Sequence, residues 1–467
     1  MKRLWATITG LVVTCALAHA VPLPADGTLA LPLRHSGRWL TDAIGRVVLV
    51  HGVNFVEKAS PFYPAARGFG DDDAAFLAAH GFNAFRLGVV PEAIMPSPGI
   101  VDQDYVERLA DSVDVLAAHD ILVVLDFHQD GWGPVTHGNG MPAWATLTDG
   151  VPNPPATFPL YYVQNPAIQH AFDNFWANRP GPDGVPLQRH YATAVHALAK
   201  RFAANPHVLG YEALNEPWPG TDWSRCITGC PDLEDRLLVP FYQRVADAVH
   251  AATRRQFVFG EPFVLFNFGH TDTALPRIGA PRDGLAVHVY ALSAQEDLDA
   301  IDHGVAGAER SSAALLVTEW GATTDGPTIA RLAGQLDSRL APWLFWAYFS
   351  EVIRDPAAPP TPDNLNTDAV AALTRPFPVA TNGTPTALVF DSAARTLDFT
   401  YAVRRPDGRP TRAGAETVVM MPTSVYPSGY TAAAAGATVI SAPDAPELRL
   451  RNERGAATVS LHAGPRQ

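Results

Sequence analysis

The sequence predicts an α/β protein: a (β/α)8 TIM barrel followed by a small C-terminal antiparallel β-sandwich. Three observations carry this. Between Arg46 and Arg375, short apolar segments alternate with amphipathic helical ones, the pattern of a parallel α/β protein. No Gly-rich phosphate turn follows the first apolar segment, which argues against a doubly wound open sheet. Beyond Pro378 the pattern becomes period two, with Leu397, Phe399, Tyr401 and Val403 alternating with Asp398, Thr400 and Ala402.

Taken in order, residues 1–20 read as a secretory signal. Lys2 and Arg3 start it, Leu4 to Ala18 is apolar, and Ala18-His19-Ala20 is a small-x-small cleavage site. A secreted, extracellular protein is therefore expected. Removing residues 1–20 lowers the formal net charge of the 467-residue chain from −13 to −15. That balance argues against nucleic acid or an anionic membrane surface as an electrostatic partner. It leaves Cys226 and Cys230 as the mature cysteines, close together in one loop. Export favours a disulfide between them, and no nearby histidine completes a metal site.

The barrel is expected over residues 21–375 and the sandwich over 376–467. The eight strands are read at Val47–Asn54, Ala84–Leu87, Ile121–Phe127, Leu209–Ala213, Phe257–Gly260, Leu285–Val289, Leu315–Thr318 and Trp343–Ala347. Helices are read near Asp71–His80 and Tyr105–His119. Gly131 to Pro186 and Trp218 to Pro231 are long loops that leave the carboxyl ends of strands, the face where barrel enzymes build their sites. Thr417–Met420, Leu448–Arg451 and Thr458–Leu461 repeat the alternating habit of the C-terminal unit.

Polar residues gather at the carboxyl ends of these strands. Asn54, Glu57 and Lys58 follow the first, and Arg86 lies in the second. His128-Gln129-Asp130 follows the third, and Asn215-Glu216-Pro217 ends the fourth, since Pro217 cannot continue a ladder. Glu261 follows the fifth, His288 and Tyr290 the sixth, Glu319 the seventh and Trp346 the eighth. Any one of them alone reads as structural, Arg86 as a buried ion-pair partner and His288 as a satisfied core histidine. All eight strands offering one at the same end reads as a site.

The chemistry that fits is glycoside hydrolysis, which needs two carboxyl groups in different environments. Glu216 and Glu319 stand at the ends of the fourth and seventh strands, facing one another across a barrel. Asn215 would hold a sugar hydroxyl, Tyr290 would hydrogen-bond the nucleophile, Arg86 would help keep it ionised, and Trp346 would offer a ring face to the sugar. Glu261 mimics the context of Glu216 but lacks the preceding Asn and lies one strand away, so it ranks third.

These motifs resemble glycoside hydrolase family 5: N-E-P at 215–217, H-x-Y at 288–290, T-E-W-G at 318–321, and Trp346. More narrowly the chain resembles the endoglycoceramidases. The marks are Val53-Asn54 with Lys58, His128-Gln129-Asp130, Gly140-Met141-Pro142-Ala143-Trp144-Ala145, and Glu261-Pro262 with Leu265-Phe266-Asn267. The resemblance implies a retaining enzyme with Glu216 as acid/base and Glu319 as nucleophile. It implies substrate contacts from Lys58, Arg86, His128, Asp130, Asn215, His288, Tyr290 and Trp346. It implies no cofactor and no metal, and a glycosphingolipid or other β-glycoside as partner. A monomer is expected, with room for transient contact with a membrane surface. Gly131-Trp132-Gly133 departs from the family pattern and leaves the accepted glycan open.

Apolar residues at expected loop tips, Phe62, Tyr63, Ile94, Met95, Phe263, Leu265 and Phe266, would line a slot for lipid chains. The competing readings are a β-glucanase or β-glucosidase of the same family, and an inactive carbohydrate- or lipid-binding protein.

Overall fold

The computed structural model describes residues 23, 28–269, 278 and 282–466; the expected leader over residues 1–20 lies outside them. Eight parallel strands form a closed barrel: His51–Phe55, Ala84–Val89, Leu122–Phe127, Val208–Glu212, Phe257–Gly260, Asp283–Val289, Ala314–Trp320 and Trp343–Phe345. Closure is the pairing of Trp343 with His51. Helices cover the strands outside, so both strand faces are buried and the strands read as continuous apolar runs.

Inside the barrel, the inward-facing residues change character in steps of two. Ala84, Val124, Ala286 and Leu316 share a buried apolar core with Leu33 and Leu40, which lie on and beside the amino-terminal hairpin. Two residues further on stand Arg86, Asp126, His288 and Thr318, all buried. Side chains alternate faces along a strand, so a step of two keeps the direction and moves toward the carboxyl end. The apolar half of the interior holds the fold and the charged half opens to the active face.

The first strand differs from expectation. Val47–Val48 and His51–Phe55 are separate strands in different sheets. Val47–Val48 pairs with Thr41 and with Phe377–Thr381, inside a seven-stranded sheet that also holds Arg34–Ser36, Trp39–Thr41, Thr417–Met420, Glu447–Asn452 and Ala437–Val439. A four-stranded sheet, Thr384–Asp391, Thr396–Ala402, Thr458–Pro465 and Tyr430–Ala435, packs on it. Leu397, Phe399 and Tyr401 fill the space between, as the period-two pattern requires.

A buried ion pair fastens the barrel to the sandwich. Arg375 Nε donates to Asp337 Oδ2 at 2.8 Å, His51 Nε2 lies 3.2 Å from Asp337 Oδ1, and the Arg375 guanidinium lies 5.0 Å from the centre of the Phe390 ring. Burial opposes the Asp337 charge, but Arg375 and His51 outweigh it and hold its pKa at about 2. The folded value lies below the unfolded one, so the stabilisation is complete above about pH 4 and is lost as pH falls through about 2. Asp337→Asn is expected to lower stability at pH 7 by about 2–3 kcal/mol and to remove that part of the acid dependence. Urea unfolding of both proteins at pH 7 and at about pH 3 checks it.

Candidate active site

The site is organised around Arg86, fully buried in the second barrel strand. Its Nε donates to Glu212 Oε2 at 2.6 Å, Nη1 to Asn54 Oδ1 at 3.0 Å and to Glu319 Oε1 at 2.5 Å, and Nη2 to Asn215 Oδ1 at 2.7 Å. Asp126 Oδ1 lies 3.1 Å from Nη2. Burial works against the guanidinium charge, yet Asp126, Glu212 and Glu319 outweigh it and raise its pKa well above the ordinary value. The planar fork thus fixes residues from four other strands or their ends.

The fourth strand ends at Glu212, short of the expected Pro217. Beyond it the chain stays pinned, Ala213 N donating to Phe259 O and Asn215 N to Phe127 O. Glu216 then takes a left-handed backbone with φ 43°, which costs a non-glycine residue roughly 1 kcal/mol or more. Its N–H donates to Glu261 Oε2 at 2.5 Å, and Gln129 Nε2 donates to its carbonyl at 3.0 Å. Its Oε1 accepts from Asn267 Nδ2 at 2.7 Å and faces His288 Nδ1 at 3.1 Å.

Glu319 reaches the interior through an irregularity of the seventh strand. The register with the sixth slips between Val317 and Glu319, so that Thr318 and Glu319 both turn inward. Thr318 Oγ1 donates to Glu212 Oε1 at 3.0 Å, and Tyr290 Oη donates to Glu319 Oε2 at 2.8 Å. Gly321 has φ 98° and lies so close to the Phe345 ring that a Cβ would stand 2.4 Å from it. That explains the glycine of T-E-W-G. Burial raises the Glu319 carboxyl, His288 and Arg86 pull it back, and Glu216 adds to the rise, leaving the pKa above its ordinary value.

One carboxylate oxygen each of Glu216 and Glu319, with a nitrogen of His288, lie within 4.8 Å of one another. His288 Nε2 lies 2.5 Å from Glu261 Oε1. Burial alone would strip its proton; Glu261 and Glu319, with hydrogen bonds to Glu212 and Glu216, hold the pKa well above the ordinary value. His288 is therefore an imidazolium among carboxyl groups.

A second polar group flanks the pair. His128 Nδ1 lies 2.7 Å from Asp126 Oδ2 and its ring stacks on Trp346 at 5.6 Å. Asp130 Oδ2 receives Lys58 Nζ at 2.6 Å and Asn139 Nδ2 at 2.8 Å, with His128 Nε2 at 3.2 Å. Burial would raise the Asp130 carboxyl, but Lys58 and His128 drive it well below its usual range.

Above these residues opens a cavity of about 830 Å³, lined among others by Lys58, His128, Asp130, Asn215, Glu216, Tyr290, Glu319 and Trp346. Arg86 and His288 do not line it. They were expected to touch substrate, but both lie beneath the floor with their polar atoms turned to protein groups. Asn54 is also structural, its amide donating to three backbone carbonyls, and Glu57 is held by Ala59 N and Arg67. Cys226 and Cys230 form a disulfide in the loop after the fourth strand.

The expected apolar slot is made of different residues. Ile94, Met95, Phe263 and Phe266 are buried core, and Phe62 and Tyr63 pack against that core; of the seven expected, Leu265 alone lines the cavity. The apolar wall is Phe158, Pro159, Leu160 and Val163 facing Val264, Leu265 and Phe268. Glu212 and Asp126 are further site residues that pattern reading missed, and Asn267, noted within Leu265-Phe266-Asn267, had been given no role.

The barrel, with two carboxyl groups across its mouth, is that of a glycosidase. The chain belongs to glycoside hydrolase family 5: the family's cellulase profile matches residues 63–351, and its C-terminal domain profile matches residues 375–462. Endoglycoceramidase I of Rhodococcus hoagii (strain 103S) is 34% identical over 448 residues, which cover 88% of this chain and 84% of that one. An endoglycoceramidase of Cyanea nozakii is 27% identical over 313 residues, 60% of either chain. Among solved structures, endo-glycoceramidase II from Rhodococcus sp., captured as a lactosyl–enzyme intermediate, superposes with a TM-score of 0.74 at 27% identity. The match covers 92% of this chain and all of that one. The same enzyme's ganglioside GM3 complex gives the same TM-score.

Proposed function

We propose that this glycosidase cleaves the β-bond between oligosaccharide and ceramide in glycosphingolipids with retention, Glu319 acting as nucleophile and Glu216 as acid/base. The observation that carries it is one cavity holding a close carboxyl pair beside an apolar wall. Retaining pairs stand about 5–5.5 Å apart, inverting ones about 6.5–9.5 Å. The solved relative described as a lactosyl–enzyme intermediate supports the same chemistry.

In the first step a Glu319 oxygen attacks the anomeric carbon while Glu216 gives its proton to the departing ceramide oxygen. The product is a glycosyl ester on Glu319 and free ceramide. Glu216, now ionised, takes a proton from water, whose oxygen displaces Glu319 and releases the glycan with its original configuration. Arg86 and Tyr290 hold the attacking carboxylate in place. Lys58 and Asp130, joined to each other, face the innermost sugar with Asn215, and Trp346 stacks on it.

A raised Glu319 pKa has a kinetic consequence. The nucleophile must be ionised, so kcat/KM is expected to fall on the acid side with a midpoint above the ordinary glutamate value. A pH profile on an aryl β-lactoside measures it.

The lipid side rests on exposure. Phe158, Leu160 and Val163 are 62%, 51% and 40% exposed, and with Ile100, Val135, Ile227 and Leu292 they lie in connections leaving the carboxyl ends of strands. Phe158, Leu160 and Val163 line the cavity and favour a lipid aglycone; with the other exposed apolar side chains of these connections they favour transient contact with a membrane surface. Phe158→Ala with Leu160→Ala is expected to lower kcat/KM on lactosylceramide by roughly 10-fold or more, from about 25 cal/mol per Å² of lost apolar burial. A small aryl lactoside should change by about 2-fold or less, because it does not reach the wall. Equal losses on both substrates would make these loops packing alone. Faster hydrolysis of carboxymethylcellulose than of any glycolipid would favour the β-glucanase reading. Export after Ala20 belongs to the same proposal and is checked by finding Val21 at the mature amino terminus.

A further inference from the structure

Glu261 is the carboxyl that the mechanism above leaves without work. It is buried beneath the cavity floor and does not line it. Its two oxygens take separate grips on the acid/base. Oε2 accepts the Glu216 N–H at 2.5 Å, on a residue whose φ is 43°. Oε1 lies 2.5 Å from His288 Nε2, and the other nitrogen of that ring faces Glu216 Oε1 at 3.1 Å. The Glu261 backbone is itself clamped, its carbonyl accepting from Tyr242 Oη at 2.7 Å and its N–H donating back to the same hydroxyl at 3.2 Å.

We propose that Glu261 is a positioning residue for acid catalysis, holding Glu216 in its left-handed backbone and orienting the His288 ring against the Glu216 carboxyl. The proposal rests on the reading of Glu216 as the acid.

The protonation state follows from charge. Lys58, Arg86, His128 and His288 are four basic groups set among six carboxyls, Asp126, Asp130, Glu212, Glu216, Glu261 and Glu319. Excess negative charge in a buried cluster is costly. Glu261 carries part of that cost: burial raises its carboxyl, His288 opposes, and Glu212, with an oxygen within 4.8 Å, adds to the rise. Glu212, ion-paired with Arg86, takes the ionised role.

The test compares Glu261→Gln and Glu261→Ala on two substrates. Lactosylceramide needs its leaving oxygen protonated; 2,4-dinitrophenyl β-lactoside does not. Glutamine keeps one acceptor for the Glu216 N–H but turns an NH2 toward His288 Nε2, so that variant should lose less than the alanine one on lactosylceramide and change by about 3-fold or less on the dinitrophenyl lactoside. Alanine should lower kcat/KM on lactosylceramide by roughly 30-fold or more, while kcat/KM on the dinitrophenyl lactoside, which reports the glycosylation step alone, changes by about 3-fold or less. Equal losses on the two substrates, or a glutamine variant as impaired as the alanine one, would overturn the proposal. Should the alanine variant not fold, the glutamine variant alone decides: a loss confined to lactosylceramide supports the proposal, and an equal loss on both substrates overturns it. Glu216→Gln serves as control: if its kcat/KM falls as far on the dinitrophenyl substrate as on lactosylceramide, the acid assignment itself has failed. If it is spared on the dinitrophenyl substrate and Glu261→Ala is not, only the role of Glu261 has.

Discussion

Glu319→Gln is expected to abolish turnover on every substrate, by roughly 10⁴-fold or more, because no covalent intermediate can form. Glu216→Gln should behave differently. On lactosylceramide it should lose about 10²–10⁴-fold, the range of a missing general acid. On 2,4-dinitrophenyl β-lactoside the first step needs no proton, so glycosylation should run within about 10-fold of the parent rate. Deglycosylation then lacks its base and becomes limiting. A burst of dinitrophenol, followed by slow turnover that added azide accelerates, is the signature to look for. Loss of both variants on both substrates to the same degree would remove the distinction between the two roles.

The second large effect belongs to Arg86. Arg86→Lys keeps a positive charge but replaces a planar fork by one compact ammonium. It cannot reach Glu212, Asn54, Asn215 and Glu319 together, so at least one buried carboxylate loses its partner. Breaking a buried ion pair costs about 3–5 kcal/mol, and a misplaced Glu319 should lower kcat on glycolipid and aryl lactoside alike by roughly 10²-fold or more. Urea unfolding and steady-state kinetics on the same preparation separate the two losses. A variant of parental stability and activity would mean that Arg86 does not hold the nucleophile.

Much of the site was legible because its signals are local. Asn215-Glu216-Pro217 and Thr318-Glu319-Trp320-Gly321 announce themselves by types that a buried strand otherwise avoids. Glu212 carries no such signal: in Tyr211-Glu212-Ala213 an acid reads as ordinary alternation. Its meaning appears only when Arg86, 126 residues away, is placed against it. Asp126 was invisible for the same reason, and Asn267 stood in a recognised motif without a role. The apolar wall failed differently. Phe158 to Val163 sit in a loop rich in Pro and Asn, where no periodicity says which tips face the cavity; Phe263 and Phe266, which looked exposed, are core. The first strand was misread because Val47 to Val50 is apolar and runs into His51 with no turn residue between the two strands. The chain there passes from one sheet into another, and pairing partners at Trp343–Phe345 and at Ala380 and Thr381 decide where.

The most direct measurement follows the anomeric proton of the sugar released from lactosylceramide by NMR during the first minutes, with the lipid product analysed in parallel. The account predicts that β-lactose appears first and mutarotates afterwards, and that ceramide is recovered intact. Appearance of α-lactose first, or release of galactose with the glucosylceramide bond left whole, would contradict it.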